Sequence, residues 1–177
     1  MGADSKMSDC QTLLGRLRRG DLSRKETIRA LNVFGEQGFV EAEPDVGALL
    51  NSQDSQLRYY ALSILLRDWK PSSYKGVAER VLQSDSSDDV RIAAVFGLGA
   101  LGLAHGDRSV LRPLYQALMN KREKSAVRVE AYNFIRMIYG EPILQRRLSK
   151  FSDIRDWGTI EEVRNELESN DQEDHQK

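Results

Sequence analysis

Residues 88–102 read DDVRIAAVFGLGALG, and this stretch decides the fold. Its apolar residues recur at three- and four-residue spacing, which is typical of an amphipathic helix and not of a strand. An aliphatic residue, an arginine and an alanine stand at Val90, Arg91 and Ala94. Because the same arrangement recurs elsewhere in the chain, the stretch predicts an internal repeat.

Three other segments share this arrangement to different degrees. Residues 57–62 (LRYYAL) lie 33 residues upstream, and residues 127–132 (VRVEAY) lie 37 residues downstream. A weaker copy, a further 31 residues upstream, has Thr27 where the arginine should be. Each copy reads as two helices, and helix pairs with this period predict an all-α fold. We expect a right-handed α-solenoid (α-α superhelix) of about four helix pairs, with short capping helices at its ends.

The spacing of the copies also predicts the organisation of the chain. Residues 1–22 are expected to form an N-terminal capping segment, and residues 23–150 the repeat solenoid. Residues 151–169 suit a C-terminal capping helix with an apolar face of Ile160, Val163 and Leu167. Residues 170–177 are acidic and contain no apolar side chain, so we expect a disordered tail.

Helix boundaries can be predicted from capping residues. Ser23 with Glu26, and Ser86 with Asp89, have the spacing of N-terminal caps in front of first helices. A left-handed glycine ends many helices. The glycines expected to follow first helices are Gly38, Gly102, Gly106 and Gly140.

Composition excludes several classes of protein. The chain has 177 residues, of which 40% are hydrophobic, with 26 basic and 27 acidic side chains. One cysteine (Cys10) and two histidines rule out an intramolecular disulfide and a Cys/His zinc site. No apolar run is long enough to span a membrane. We expect a cytoplasmic protein with no cofactor, no metal and no membrane partner.

The third copy also carries a family resemblance. Residues 88–102, followed by Asp107, Val110, Pro113 and Leu114, resemble the HEAT-like repeats first noted in phycobilisome lyases. The resemblance extends over about residues 23–150 and is weakest in the first copy. It implies helix pairs stacked into a curved solenoid, with second helices lining the concave face, and most members of the family bind other proteins.

Aligning the second helices places several polar residues opposite their apolar stripes. The candidate partner-binding residues are Arg80, Arg112, Tyr115, Gln116 and Arg146. Arginine and tyrosine often anchor protein interfaces, although a solvated charged face is the alternative interpretation. These residues predict a protein partner with an acidic surface.

The recurring arginines Arg58, Arg91 and Arg128 have two interpretations. Each follows an aliphatic residue and lies near a turn, as a ladder of hydrogen bonds between neighbouring repeats would require. A row of phosphate-binding arginines is the alternative. The sequence favours the structural interpretation.

The sequence lacks the catalytic motifs of the enzymes that HEAT-like repeats are known to form. HEAT-like deoxyhypusine hydroxylases carry repeated His-Glu pairs, whereas His105 precedes Gly106 here and His175 precedes Gln176. Alkylpurine DNA glycosylases of similar architecture have a basic groove, against which a net charge of −1 argues. Residues 97–102 match G-x-G-x-x-G but follow no strand, so they do not indicate a dinucleotide site. We therefore predict a non-enzymatic protein-interaction module or scaffold.

Charge is unevenly distributed along the chain. Residues 108–150 contain 10 basic and 3 acidic side chains, and residues 151–177 contain 3 basic and 9 acidic ones. This polarity leaves a second hypothesis open, in which the third and fourth repeats bind nucleic acid and the acidic tail shields them. A third hypothesis is an accessory subunit of a phycobilin lyase, suggested by the family resemblance alone.

Overall fold

The computed structural model describes residues 3–69, 72–141 and 147–174. Within these ranges all regular structure is helical, which confirms the all-α prediction for this part of the chain. Its α-helices are α1 (Ala3–Arg19), α2 (Arg24–Gln37), α3 (Glu43–Ala48), α4 (Ser55–Ser63), α5 (Lys75–Ser84), α6 (Asp88–His105), α7 (Leu111–Met119), α8 (Ser125–Ile138) and α9 (Gly158–Asp174). Short 3-10 turns lie at Val40–Ala42, Leu49–Asn51, Ser72–Tyr74, Arg108–Val110 and Phe151–Asp153, and a π-helical turn continues α4 over Ile64–Asp68.

Two compact units divide the chain at the start of α5, Met1–Lys75 and Gly76–Lys177. In the first unit, α2 packs against α1 and α4 around an apolar cluster that includes Leu31, Phe34 and Leu65. In the second unit, α8 packs against α6, α7 and α9. The functional candidates on α5 and α7 lie in this second unit.

Local sequence signals explain both ends of α2. Ser23 is the N-cap, and its side chain and that of Glu26 satisfy each other's backbone N–H groups in a capping box, as the sequence predicts. Gly38 ends the helix with φ of 60° in the left-handed region. Gly106 and Gly140 also have positive φ, after α6 and α8, so three of the four predicted glycine positions are confirmed.

The capping box makes stability depend on pH in a predictable direction. Hydrogen bonds from Ser23, and then from Arg16, lower the pKa of Glu26 from 4.5 to about 2. Because the folded pKa is depressed, the stabilisation is fully present above pH 4.5 and is lost as the pH falls towards 2. Glu26→Gln should therefore unfold more readily at pH 7 and lose less stability across this acidic interval than the natural chain.

Urea unfolding at pH 7 and through the acidic interval measures this difference. Glu36→Gln, the same change on an exposed side chain of α2, controls for the removed charge. Equal pH dependence of Glu26→Gln and the natural chain would show that the capping box does not stabilise α2.

Two boundary predictions for α6 are wrong. The helix begins at Asp88 with Ser87, not Ser86, at the N-cap position, and no side-chain hydrogen bond caps it. The side chain of Asp85 accepts the backbone N–H of Ser87 at 2.8 Å instead. Gly102 does not end the helix but lies inside it. A Cβ there would come within 2.8 Å of Ile138 and Val110 side-chain atoms, so the glycine permits close packing.

The recurring arginines bond to the turns before their helices. Arg58 donates to the carbonyl of Ser52 at 2.8 Å, Arg91 to that of Asp85 at 2.6 Å, and Arg128 to that of Leu118 at 2.7 Å. Each bond ties a helix to the segment that precedes it, which satisfies carbonyl groups that would otherwise need water. These contacts support the structural interpretation of the three arginines.

The close contact between α6 and α8 depends on small residues. Ala94 and Ala131 have no exposed surface. A Cβ built on Gly99 would lie 2.0 Å from Cδ1 of Phe134, which is far inside van der Waals contact. Gly99 therefore sets how near the two helices can approach.

The C-terminal helix is longer than predicted. Ile160 and Val163 are buried and Leu167 is half-buried, as expected for a capping helix. However, α9 extends through Asp174, past the boundary expected at residue 169. Gln172 and Glu173 are good helix formers, and Asp171 forms an exposed ion pair with Arg112. Residues 175–177 lie outside the described residues, as do Ile143 and Leu144 of the predicted second helix of the fourth pair.

Candidate functional site

Helix α7 presents two different faces. Leu111, Leu114 and Leu118 are fully buried. On the other side Gln116 is exposed, and Arg112 and Tyr115 are partly exposed. The amphipathic spacing thus places three of the five predicted binding residues on one outward side of α7.

Helix α5 supplies the fourth predicted residue. Ala78 and Leu82 are buried, while Arg80 is exposed. Among the described residues, the Arg80 guanidinium has no hydrogen-bond or ion-pair partner. Its charge is therefore available to a ligand.

A small cleft lies between these two helices. Its volume is about 120 Å³. The lining residues are Leu82, Gln83, Pro113, Gln116, Ala117, Asn120 and Glu123. The lining combines apolar side chains with three amide groups and the carboxylate of Glu123. The volume is well below the roughly 300 Å³ that a small-molecule site usually needs.

The predicted residues take different positions around this cleft. Gln116 lines it, and Arg80 lies one turn from Gln83 on α5. Arg112 lies one turn before Gln116 on α7, and Tyr115 is on the same helix but not among the lining residues. Arg146 lies outside the described residues. Four of the five thus lie on α5 and α7, and one of them, Gln116, lines the cleft.

A buried ion pair holds one side of the cleft. The guanidinium of Arg91 contacts the Glu123 carboxylate at 2.9 and 2.7 Å, and their side chains are only 13% and 8% exposed. The hydrogen bond to Glu123 is the main reason that the pKa of Arg91 is raised. This pair fixes the turn between α7 and α8, so the cleft is preorganised.

The basic face of α7 is already paired with the acidic helix α9. Arg112 contacts the Asp171 carboxylate at 3.2 and 2.5 Å, across 59 residues of sequence. One turn earlier, Arg108 contacts Glu166 at 2.8 Å, and its guanidinium lies 4.4 Å from the centre of the Tyr139 ring. The spacing of Arg108, Glu166 and Asp171 in the sequence does not indicate that they form a set.

The two contacts differ in how exposed their carboxylates are. The hydrogen bond from Arg108 is the main cause that lowers the pKa of Glu166. Burial, followed by the hydrogen bond to Glu166, raises the pKa of Tyr139 to about 12. The side chain of Glu166 is 29% exposed and that of Asp171 is 54% exposed, whereas Arg108 and Arg112 are similarly exposed, at 46% and 43%.

Several other basic residues of 108–150 also contact carboxylates. Arg136 pairs with Glu141, and Arg147 pairs with Glu130. Much of the positive charge counted in this segment is therefore neutralised locally. Only the pairs with Glu166 and Asp171 lower the net positive charge below the sequence count, because Glu130 and Glu141 lie within the segment and are already included in it.

The described residues contain no group of three or more His, Cys, Asp or Glu side chains arranged to hold a metal ion. None of the helices in the described ranges is both long and apolar enough to cross a membrane. Comparisons with protein families, with curated proteins and with solved structures found no match to this chain.

Proposed function

We propose that this chain is a non-catalytic, cytoplasmic protein-interaction module, built as a solenoid of HEAT-like helix pairs. Its ligand is a protein with an acidic surface, which binds the outward side of α5 and α7. The observation that carries this proposal is the cleft lined by residues of the two helices, with Gln116 in its lining and the exposed Arg80, which has no partner in the described part of the chain, one turn from Gln83. In a HEAT-like solenoid these would be second helices, which line the concave face.

The chemistry of binding follows from these groups. The cleft is large enough for one side chain, and the amides of Gln83 and Gln116 can exchange hydrogen bonds with it. Arg80 can form a bidentate pair with a carboxylate of the partner. Because the Arg91–Glu123 pair fixes the turn beside the cleft, little ordering is needed on binding.

Nucleic-acid binding by residues 108–150 is the weaker candidate. Phosphate recognition needs several accessible cations, since affinity grows with the number of phosphates neutralised. Arg108, Arg112, Arg136 and Arg147 all contact carboxylates of the chain itself. Pairing of this kind reduces the basic surface that a phosphate backbone would meet.

Reversing the charge at the cleft should abolish partner binding. In the double variant Arg80→Glu/Gln116→Glu, we expect the amount of captured partner to fall at least about tenfold, as for loss of an interface anchor. The measurement is affinity capture from the native cell with quantitative mass spectrometry. Both side chains are exposed, so circular dichroism should show unchanged helix content.

A matched control is available on α2. Arg29 is exposed and is not among the residues that line the cleft, so Arg29→Glu repeats the change made at Arg80 outside the proposed site. Its capture profile should equal that of the natural chain. Retention of every captured protein by the double variant would refute the proposed interface, and selective capture of nucleic acid would favour the alternative.

A further inference from the structure

Helix α9 shows what kind of ligand the basic side of α7 accepts. Its residues Glu166 and Asp171 lie five apart on one acidic helix, and they contact Arg108 and Arg112, four apart on and just before α7. Within the chain itself, an acidic helix is therefore bound to these two arginines. A partner of the same chemistry would compete with it.

The two halves of α9 are held in different ways. In the first half, Ile160 is 3% exposed and Val163 is fully buried, and Glu166 contacts both Arg108 and Tyr139. Beyond Leu167 every described side chain, from residue 168 to residue 172, is exposed. Among the described side chains of this second half none is apolar, and its contacts with α7 include the exposed Arg112–Asp171 pair.

Exposed ion pairs of this kind form and break readily, because water and salt screen them. The second half of α9 can therefore leave α7 while the first half, anchored by the buried Ile160 and Val163, stays in place. Arg112 would then join the exposed Arg80 and Gln116 on the proposed binding face. An acidic partner gains one more cation by displacing Asp171.

We propose that the Arg112 side of α7 binds an acidic helical segment of a partner protein, and that residues 168–174 of α9 occupy this place until the partner displaces them. This inference rests on the proposed function and names the chemistry of the partner. It also makes α9 an internal competitor that lowers the affinity for weak or non-specific acidic ligands.

The test uses the full-length chain and a defined probe. The probe is a fluorescein-labelled peptide with the sequence of residues 158–174, whose binding is followed by fluorescence anisotropy at low ionic strength. Asp171→Asn removes the competing charge without changing the shape of the side chain. We expect it to bind the probe about two- to fivefold more tightly than the natural chain does, because the ion pair that competes with the probe for Arg112 is weakened.

Two variants separate this mechanism from a general effect of charge. Glu168→Gln makes the same change on the same helix, but Glu168 pairs with Arg164 of α9 itself, at 3.8 Å, so probe affinity should not change. The double variant Asp171→Asn/Arg112→Gln should lose the gain. A probe with all its carboxylates replaced by amides should not bind.

Several results would overturn the inference. Equal probe affinity for Asp171→Asn and the natural chain would show that α9 does not compete, and failure of both to bind the probe would show that α7 does not accept an acidic helix. A gain seen for duplex DNA and not for the peptide would assign the surface to nucleic acid. Neither of the first two results depends on the capture experiment with Arg80→Glu/Gln116→Glu, so the two proposals can fail separately.

Discussion

Replacing Arg91 by leucine should lower the free energy of unfolding by about 3–5 kcal/mol, the usual effect of removing one partner of a buried ion pair. The variant leaves the Glu123 carboxylate, whose side chain is 8% exposed, without its counter-charge. It also removes the hydrogen bond to the carbonyl of Asp85. The turn that borders the cleft would lose its main support.

Unfolding in urea measures this loss, with the fluorescence of Trp157 as the probe. Trp157 lies in the same unit as Arg91, and Trp69→Phe removes the signal of the other unit. The control is Arg91→Leu/Glu123→Leu, which removes both charges and should recover most of the lost stability. If Arg91→Leu alone is as stable as the natural chain, the Arg91–Glu123 pair does not hold the turn.

Alanine at position 99 should destabilise the second unit by about 1–3 kcal/mol, although alanine is the better helix former. The added Cβ would lie 2.0 Å from Cδ1 and 2.3 Å from Cγ of Phe134. Phe134 itself packs edge-on against Phe96, with ring centres 5.1 Å apart, so its ring has little room to move. Helices α6 and α8 would have to separate.

The matched control is Gly76→Ala in α5 of the same unit. There the nearest atom to a new Cβ is Nη1 of Arg80, at 3.8 Å, so the variant should be neutral or slightly stabilised. Phe134→Leu in the Gly99→Ala background should recover part of the loss, because the smaller side chain relieves the clash. A Gly99→Ala variant at least as stable as the natural chain would contradict the close packing of α6 and α8.

Features set by neighbouring residues could be predicted from the sequence. The capping box of Ser23 and Glu26 and the left-handed Gly38 involve groups a few residues apart, so their sequence spacing is sufficient. The all-helical character follows from apolar spacing in the same way. The predicted start of α6 is wrong by one residue, because Asp85, Ser86 and Ser87 are adjacent residues that can each cap a helix. The Asp85 side chain accepts the backbone N–H of Ser87.

Features set by distant residues could not be predicted. From the sequence, Gly102 is expected to end a helix. In the structure it lies inside α6, where the side chains of Ile138 and Val110 leave no room for a Cβ. The contact of Arg112 with Asp171 joins residues 59 apart, and the sequence shows only that one segment is basic and the next acidic. The cleft lined by Gln116 likewise depends on residues of both α5 and α7, which are about 30 residues apart in the sequence.

Site-specific photo-crosslinking at Gln116 tests the proposed interface most directly. A photoreactive amino acid is placed at position 116, on the rim of the cleft, and for comparison at position 29 on α2. After irradiation in the native cell, we expect one dominant crosslinked protein from position 116, joined through an acidic segment, and none of it from position 29. The same crosslinked proteins from both positions, or none from position 116, would contradict a partner-binding face on α5 and α7.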